Sequence, residues 1–164
     1  GTELRFTIRT DDDPARRAVA DTIEAQLNDV GIRASVQSMA FSVLLRDFLQ
    51  QRQYDAAVVL WDQGADPDPY SWHSAEVGPD GRNIANTQNV ILDSLIGEAR
   101  TTTDDAIRLD YYSQLQQVWQ SEMPSVIVAY TRYLYVQSGS VERDPLGILF
   151  TAAERFAQIF RWGL

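Results

Sequence analysis

Between residues 4 and 36 the hydrophobic pattern changes period twice, and this restricts the fold more than any other feature of the chain. Leu4, Phe6 and Ile8 alternate with Arg5, Thr7 and Arg9, the period of two that marks a strand. Asp13 and Pro14 follow as a helix cap and a first helical residue, where proline's missing N–H goes unneeded. Ala15, Ala18, Val19, Ile23, Leu27 and Val30 then recur mostly three or four residues apart, and Gly31 supplies a left-handed stop. Ile32, Ala34 and Val36 restore the period of two. Strand, helix and strand joined this closely predict a right-handed parallel crossover, and with it an α/β fold.

The pattern continues in kind. Val43, Leu44, Leu45, Phe48 and Leu49 give a broad apolar face to a helix expected over 42–52. The run Tyr54-Asp55-Ala56-Ala57-Val58-Val59-Leu60-Trp61 is nearly continuous in apolar residues and reads as a central strand covered on both faces. From Asp62 to Asn89 the period vanishes, and three Pro and three Gly fall within that stretch. A loop of that length in a compact domain is functional or hides short structure. Two helices are expected next. One starts near Asn89 and packs through Leu92, Leu95, Ile96 and Ala99; the other starts after Thr103 and runs to Glu122 with Ile107, Tyr111, Leu115 and Val118 on one face. Residues 126–130 and 133–136 read as strands of a late hairpin or edge pair, and 152–160 as a short helix-like stretch after Asp144, Pro145 and Gly147.

Composition narrows the chemistry. With 164 residues the chain suits one domain, which at this size buries about 70% of the surface its unfolded form exposes. There is no Cys, which removes disulfides, thiolate metal sites and cysteine nucleophiles. All 14 basic residues are Arg, so neither a Schiff-base lysine nor a phosphate-loop lysine is available. His73 is the single His, which excludes a multi-histidine metal site. A net charge of −9 argues against nucleic acid and anionic membrane surfaces as partners. No apolar run reaches the roughly 18 residues that a membrane span requires.

Ligands of parallel α/β sheets bind outside the carboxyl ends of the strands. Two connections leave such ends: Thr10 to Asp13, and the long loop that begins at Asp62. In the first, Asp11, Asp12 and Asp13 already place negative charge at a helix start, which disfavours a phosphate and marks them as cap and dipole partners. In the second, Trp61, Asp62, Gln63, Asp66, Asp68, Tyr70 and Trp72 combine stiff aromatics with carboxylates, the ingredients of a small-molecule pocket. The plainer alternative is that the Asp-Pro pairs make turns and Trp61 fills the core. Asp66 and Asp68 as a glycosidase pair would have to straddle a substrate about 5 to 9 Å apart, and two residues separated by one proline serve a turn more readily. Their spacing with Asp62 matches no EF-hand. His73 beside Ser74 lacks the layout of a triad.

Taken in order, a longer signature stands out. It comprises the strand from Leu4, Leu27-Asn28-Asp29-Val30-Gly31-Ile32, Phe41 with Leu44-Leu45, Tyr54-Asp55, and the apolar strand ending in Trp61. Asp66-Pro67-Asp68-Pro69, Trp72-His73-Ser74, Asn83, Asp93 with Leu95-Ile96, Arg108, Tyr111 and Met123-Pro124 complete it. In this order and spacing the chain resembles the family 5 extracellular solute-binding proteins, the receptors of ABC importers, over about residues 3 to 137, with a weaker likeness around 156–162.

The resemblance implies one lobe of a type II periplasmic binding protein: a three-layer α/β unit with a mixed, mainly parallel sheet flanked by helices. Residues 1–164 would be a single domain, the C-terminal ligand-binding lobe of a longer two-lobed receptor. It also implies a non-enzymatic, extracytoplasmic function without cofactor or metal. The partners would be a small-molecule or peptide ligand, the missing N-terminal lobe and ABC permease subunits, with a lipid anchor outside this chain as the link to the membrane. Family members hold ligand with the segment after the tryptophan-ended strand, which carries over to Trp61, Asp62, Gln63, Asp66 and Trp72. Peptide receptors often place an amine-binding Asp three residues before the Asp-Pro turn. Here Gln63 or Ala65 stands there, with Asp62 and Asp66 as the neighbouring acids, and oligopeptides, oligosaccharides, opines and nickel chelates all remain open. Two other readings stand beside this one: a glycosidase-like enzyme using carboxylates of 62–68, and the sensor lobe of a transcriptional regulator.

Overall fold

The computed structural model describes residues 3–62, 66, 68–132, 134–142, 152–161 and 163. The chain divides into two compact units, Gly1–Asp62 with Asp68–Pro124, and Gln63–Pro67 with Ser125–Leu164.

The first unit is built on the crossover that the periodicity predicts. Strand β1 (Arg5–Asp11), helix α1 (Pro14–Asp29) and strand β2 (Arg33–Met39) follow in order, and β1 pairs in parallel with β2 from Arg5 opposite Arg33 to Asp11 opposite Met39. Asp13 caps α1, accepting the N–H groups of Ala15 and Arg16, each at 3.0 Å. The far end closes as a Schellman turn: Gly31 sits at φ 86°, its N–H reaches Asn28 and the N–H of Ile32 reaches Leu27. Replacing Asp13 with Ala leaves two first-turn donors without an acceptor and is expected to lower stability by about 1 kcal/mol, readable as a lower urea midpoint at unchanged slope.

On one face of the sheet Ile8 and Ala34 form a core with Ala20 of α1, joined by Phe6, Ile23, Leu27, Val36, Ala56 and Val58. The helical stripe is therefore Ala20-Ile23-Leu27, while Ala15, Ala18 and Val30 point to solvent. On the opposite face, where Arg9 alternates with Ile8, the guanidinium lies 3.8 Å over the ring of Phe48.

Three expectations need correction. The helix expected over 42–52 is one α-turn, α2 (Phe41–Val43), running into a π-helical segment, Leu44–Leu49. The wider turn brings Leu44 and Leu49, five apart, both into the interior. The apolar run to Trp61 yields only β3 (Ala56–Val58), and the sheet order β2-β1-β3 makes β1 the central strand of the described sheet. Asp55 is one reason for the short strand: its carboxylate takes the N–H of Thr7 at 2.9 Å, and Leu60 beyond the ladder is exposed. Residues 126–130 and 134–136 form no ladder among the described residues, and Val126, Ile127, Val128, Tyr130, Leu134 and Val136 are exposed. β-propensity expresses a fit to neighbouring strands, and no described strand lies beside them to be paired with.

Helices α3 (Val90–Thr101) and α4 (Asp105–Glu122) agree with the sequence. They pack through Leu92, Ile96 and Leu115, with Tyr70, Leu95 and Val118 around them. Within the second unit, Ala152–Phe156 and Ile159–Arg161 are 3-10 turns, and Glu142 bridges Gly163 in antiparallel fashion. Asp144, Pro145 and Gly147 lie outside the described residues.

Candidate functional site

Because β1 and β3 are parallel neighbours, with Thr10 opposite Val58, the two connections singled out in the sequence leave the same edge of the sheet. The Thr10 hydroxyl donates to the Val58 carbonyl at 3.1 Å and ties the two strand ends together.

The first connection is committed to its own helix. Asp11 is buried at 4% exposure and receives Nε of Arg16 on both carboxylate oxygens, at 2.7 and 2.9 Å, with Nη2 at 2.7 Å. The Arg16 hydrogen bonds hold the Asp11 carboxyl below the usual carboxylate range against the opposing effect of burial, with help from the N–H of Asp13. With Asp13 capping the helix, the acids of this loop serve α1, as the cap-and-dipole reading expects.

At the second connection three indoles stand in series, Trp61 and Trp72 with Trp119 of α4. Trp61 is 36% exposed and Trp72 only 8%; their ring centroids are 5.2 Å apart. Behind them, Trp119 of α4 meets Trp72 edge-to-face at 4.4 Å and 88°. Trp72 thus backs Trp61 and presents little surface itself. Asp62 and Asp66 are exposed, and Gln63 lies outside the described residues. Trp119 was not among the sequence candidates, although its place four residues after Leu115 puts it next to the face of α4 that packs.

The stretch without periodicity hides two 3-10 turns, Pro69–Trp72 and Ser74–Glu76, pinned at several points. Asp68 caps the first by accepting the Tyr70 N–H at 3.0 Å and pairs with Arg100 of α3 at 3.1 Å. The Arg100 guanidinium lies 4.1 Å over Tyr70. Ser74 donates its N–H to Asp93 of α3 at 2.8 Å and its hydroxyl to the same carboxylate. His73 Nδ1 accepts the Ala75 N–H at 3.0 Å. The Ser74 hydroxyl is therefore directed at an acid rather than at the imidazole, and this trio lacks the serine–histidine bond of a nucleophilic triad. Among the described residues, no group of three or more His, Asp or Glu is set to hold a metal ion.

Arg9 is the residue that the sequence reading passed over, taking it as the polar side of a strand. Its Nη1 donates to Gln37 Oε1 of β2 at 2.6 Å, its plane rests on Phe48, and its buried Nε has no acceptor. Among the described residues no carboxylate pairs with it. A charged residue two positions before the carboxyl end of a central parallel strand was the available signal.

No family model matches the chain. It is 27% identical over 123 residues to the oligopeptide-binding protein AppA of Bacillus subtilis, covering 73% of this chain and 22% of that protein. It is 24% identical over 131 residues to a dipeptide-binding protein of Pseudomonas aeruginosa, covering 78% of this chain and 24% of the relative. The solved structure of B. subtilis AppA in complex with a nonapeptide superposes with a TM-score of 0.68 at 26% identity, over 76% of this chain and 25% of that one. The chain spans about a quarter of the length of the relatives it matches.

Proposed function

We propose that this chain, which is similar in sequence and fold to the peptide-binding receptors of solute-binding family 5, is one lobe of such a receptor. Working with an ABC importer outside the cytoplasm, the receptor binds a peptide or similar solute between two lobes. The observation that carries this reading is the carboxyl edge of the sheet. There a half-exposed Trp61 leaves β3 with a second and a third indole braced behind it. A rigid aromatic surface supported from behind, beside the exposed carboxylate of Asp62, is suited to an apolar ligand surface with a cationic group nearby. The guanidinium of Arg9, which meets no carboxylate among the described residues and whose Nε has no acceptor there, lies on the same edge and suits an anionic end.

In this reading the segment that starts at Trp61 carries the ligand contacts, Trp61 and Asp62 among them, and Trp72 supports it. The exposed apolar side chains of Val126, Ile127, Val128, Tyr130, Leu134 and Val136 are surface that the remainder of the receptor covers. A lipid anchor in the remainder of the receptor links it to the membrane.

Calorimetric titration with a panel of di- and tripeptides, of the complete receptor and of residues 1–164 alone, tests the proposal. The complete receptor is expected to bind at least one of them, and the isolated lobe to bind it at least about a hundredfold more weakly, because half the contacts are missing. Equal affinity of the lobe alone, or no peptide bound by the complete receptor, overturns it.

A further inference from the structure

Asn83 belongs to no helix or strand, yet it is wholly buried at 0% exposure. Its side-chain NH2 meets three carbonyl oxygens, those of Trp72 at 3.0 Å, His73 at 3.2 Å and Thr87 at 2.8 Å, so that one of its two hydrogens is shared. Its Oδ1 accepts the Thr87 N–H at 3.1 Å, and its own backbone N–H reaches the Glu76 carbonyl, also at 3.1 Å. A primary amide supplies donors and an acceptor from one short side chain. An ionised Asp offers no donor, and an apolar residue of the same shape leaves the carbonyls unpaired.

Closing the loop accounts for the bonds to Thr87 and Glu76. The bonds to Trp72 and His73 do something more: they fix the peptide from which the Trp72 indole projects. That indole touches Trp61 on one side and Trp119 on the other. Trp61 lies three residues beyond the last ladder pair, Thr10 with Val58, and packs against the Trp72 ring.

We propose that Asn83 is a positioning residue for the Trp61 surface, acting through the carbonyl of Trp72. The inference rests on the reading of Trp61 as a ligand wall, but its test uses no ligand, so the two can fail separately.

Indoles this close give an exciton couplet in circular dichroism, and Trp61→Phe assigns the part that belongs to Trp61. In Asn83→Asp at neutral pH a buried carboxylate faces three carbonyl oxygens. The Trp61 couplet is expected to be lost while the helical signal of α1, α3 and α4 remains. Burial raises such a carboxyl above its ordinary value of about 3.9, so mild acid returns a donor and with it the couplet. The natural chain is expected to show no such pH profile, and Asn83→Ser to lack the couplet at every pH. An unchanged couplet in both variants overturns the proposal, as does a couplet in Asn83→Asp that fails to return in acid. So does loss of the couplet only in proportion to the helical signal, which would make Asn83 a general determinant of folding.

Discussion

Replacing Gly81 with alanine is expected to destabilise the chain by about 3 kcal/mol, a fall in Tm of roughly 10 °C. A β-carbon at this position lies 1.9 Å from the carbonyl oxygen of Glu76 and 2.5 Å from its carbonyl carbon. The clash is with backbone, and that backbone is held in place. The Glu76 carbonyl accepts the Asn83 N–H at 3.1 Å, and the Glu76 carboxylate accepts the Arg82 N–H at 3.1 Å. Relief therefore requires opening the 76–83 turn, which also carries Asn83. Gly97 provides the opposite case: it is exposed on α3, with open space where a β-carbon would go. Gly97→Ala is expected to stabilise by about 0.5 to 1 kcal/mol through helix propensity and a less flexible unfolded chain. Urea denaturation of both variants checks the pair. A Gly81→Ala variant as stable as the natural chain would mean that residues 76–83 do not close as described.

Replacing Asp11 with asparagine is expected to lose about 2 kcal/mol at neutral pH and to change the shape of the pH profile. The variant keeps the size of the side chain but removes the charge-assisted bonds from Arg16 that Asp11 accepts at 2.7 and 2.9 Å. In the folded chain the Asp11 carboxyl titrates below the usual carboxylate range, chiefly because of those bonds. The unfolded chain titrates near about 3.9. A group whose folded pKa is depressed contributes stability above the unfolded value and loses it as pH falls through the folded one. The stability gap between the natural chain and Asp11→Asn should accordingly be constant above about pH 5 and shrink as the solution is acidified below about pH 4. A gap that stays the same in acid would show that the effect of the substitution is one of packing and not of charge.

These predictions fall on residues that the sequence made visible to different degrees. The frame of the first unit was legible because it depends on local chemistry. Asp13 and Pro14 start α1, Gly31 ends it, and Asn89 caps α3 through the N–H groups of Ile91 and Leu92. Each is a short-range bond between residues close in the chain, and each can be read without knowing the fold. The errors came where neighbours distant in sequence decide. An apolar run reads the same whether it is covered or ends as an edge, and the pairing with β1 reaches only as far as Val58. Residues 126–130 have the composition of a strand, but a strand exists only against a partner.

The candidate site divides along the same line. The aromatic and acidic character of the segment after Trp61 was evident from composition and from its order relative to the neighbouring motifs. Burial was not: of two tryptophans that looked alike, Trp72 went inside and Trp61 stayed half in solvent. Arg9 looked like any outward residue of a strand, yet Gln37 and Phe48 hold it, with no carboxylate beside it among the described residues.

By itself, then, the sequence determined the crossover of β1, α1 and β2, the helix pair α3 and α4, and the edge from which the segment after Trp61 leaves, because periodicity and caps act over a few residues. The tertiary structure alone decided which indole faces solvent, that the Arg9 guanidinium rests on Gln37 and Phe48, and that a loop asparagine grips the carbonyl behind the aromatic series. Those outcomes depend on packing and hydrogen bonds between segments up to 47 residues apart, as from Trp72 to Trp119, and no local pattern encodes them.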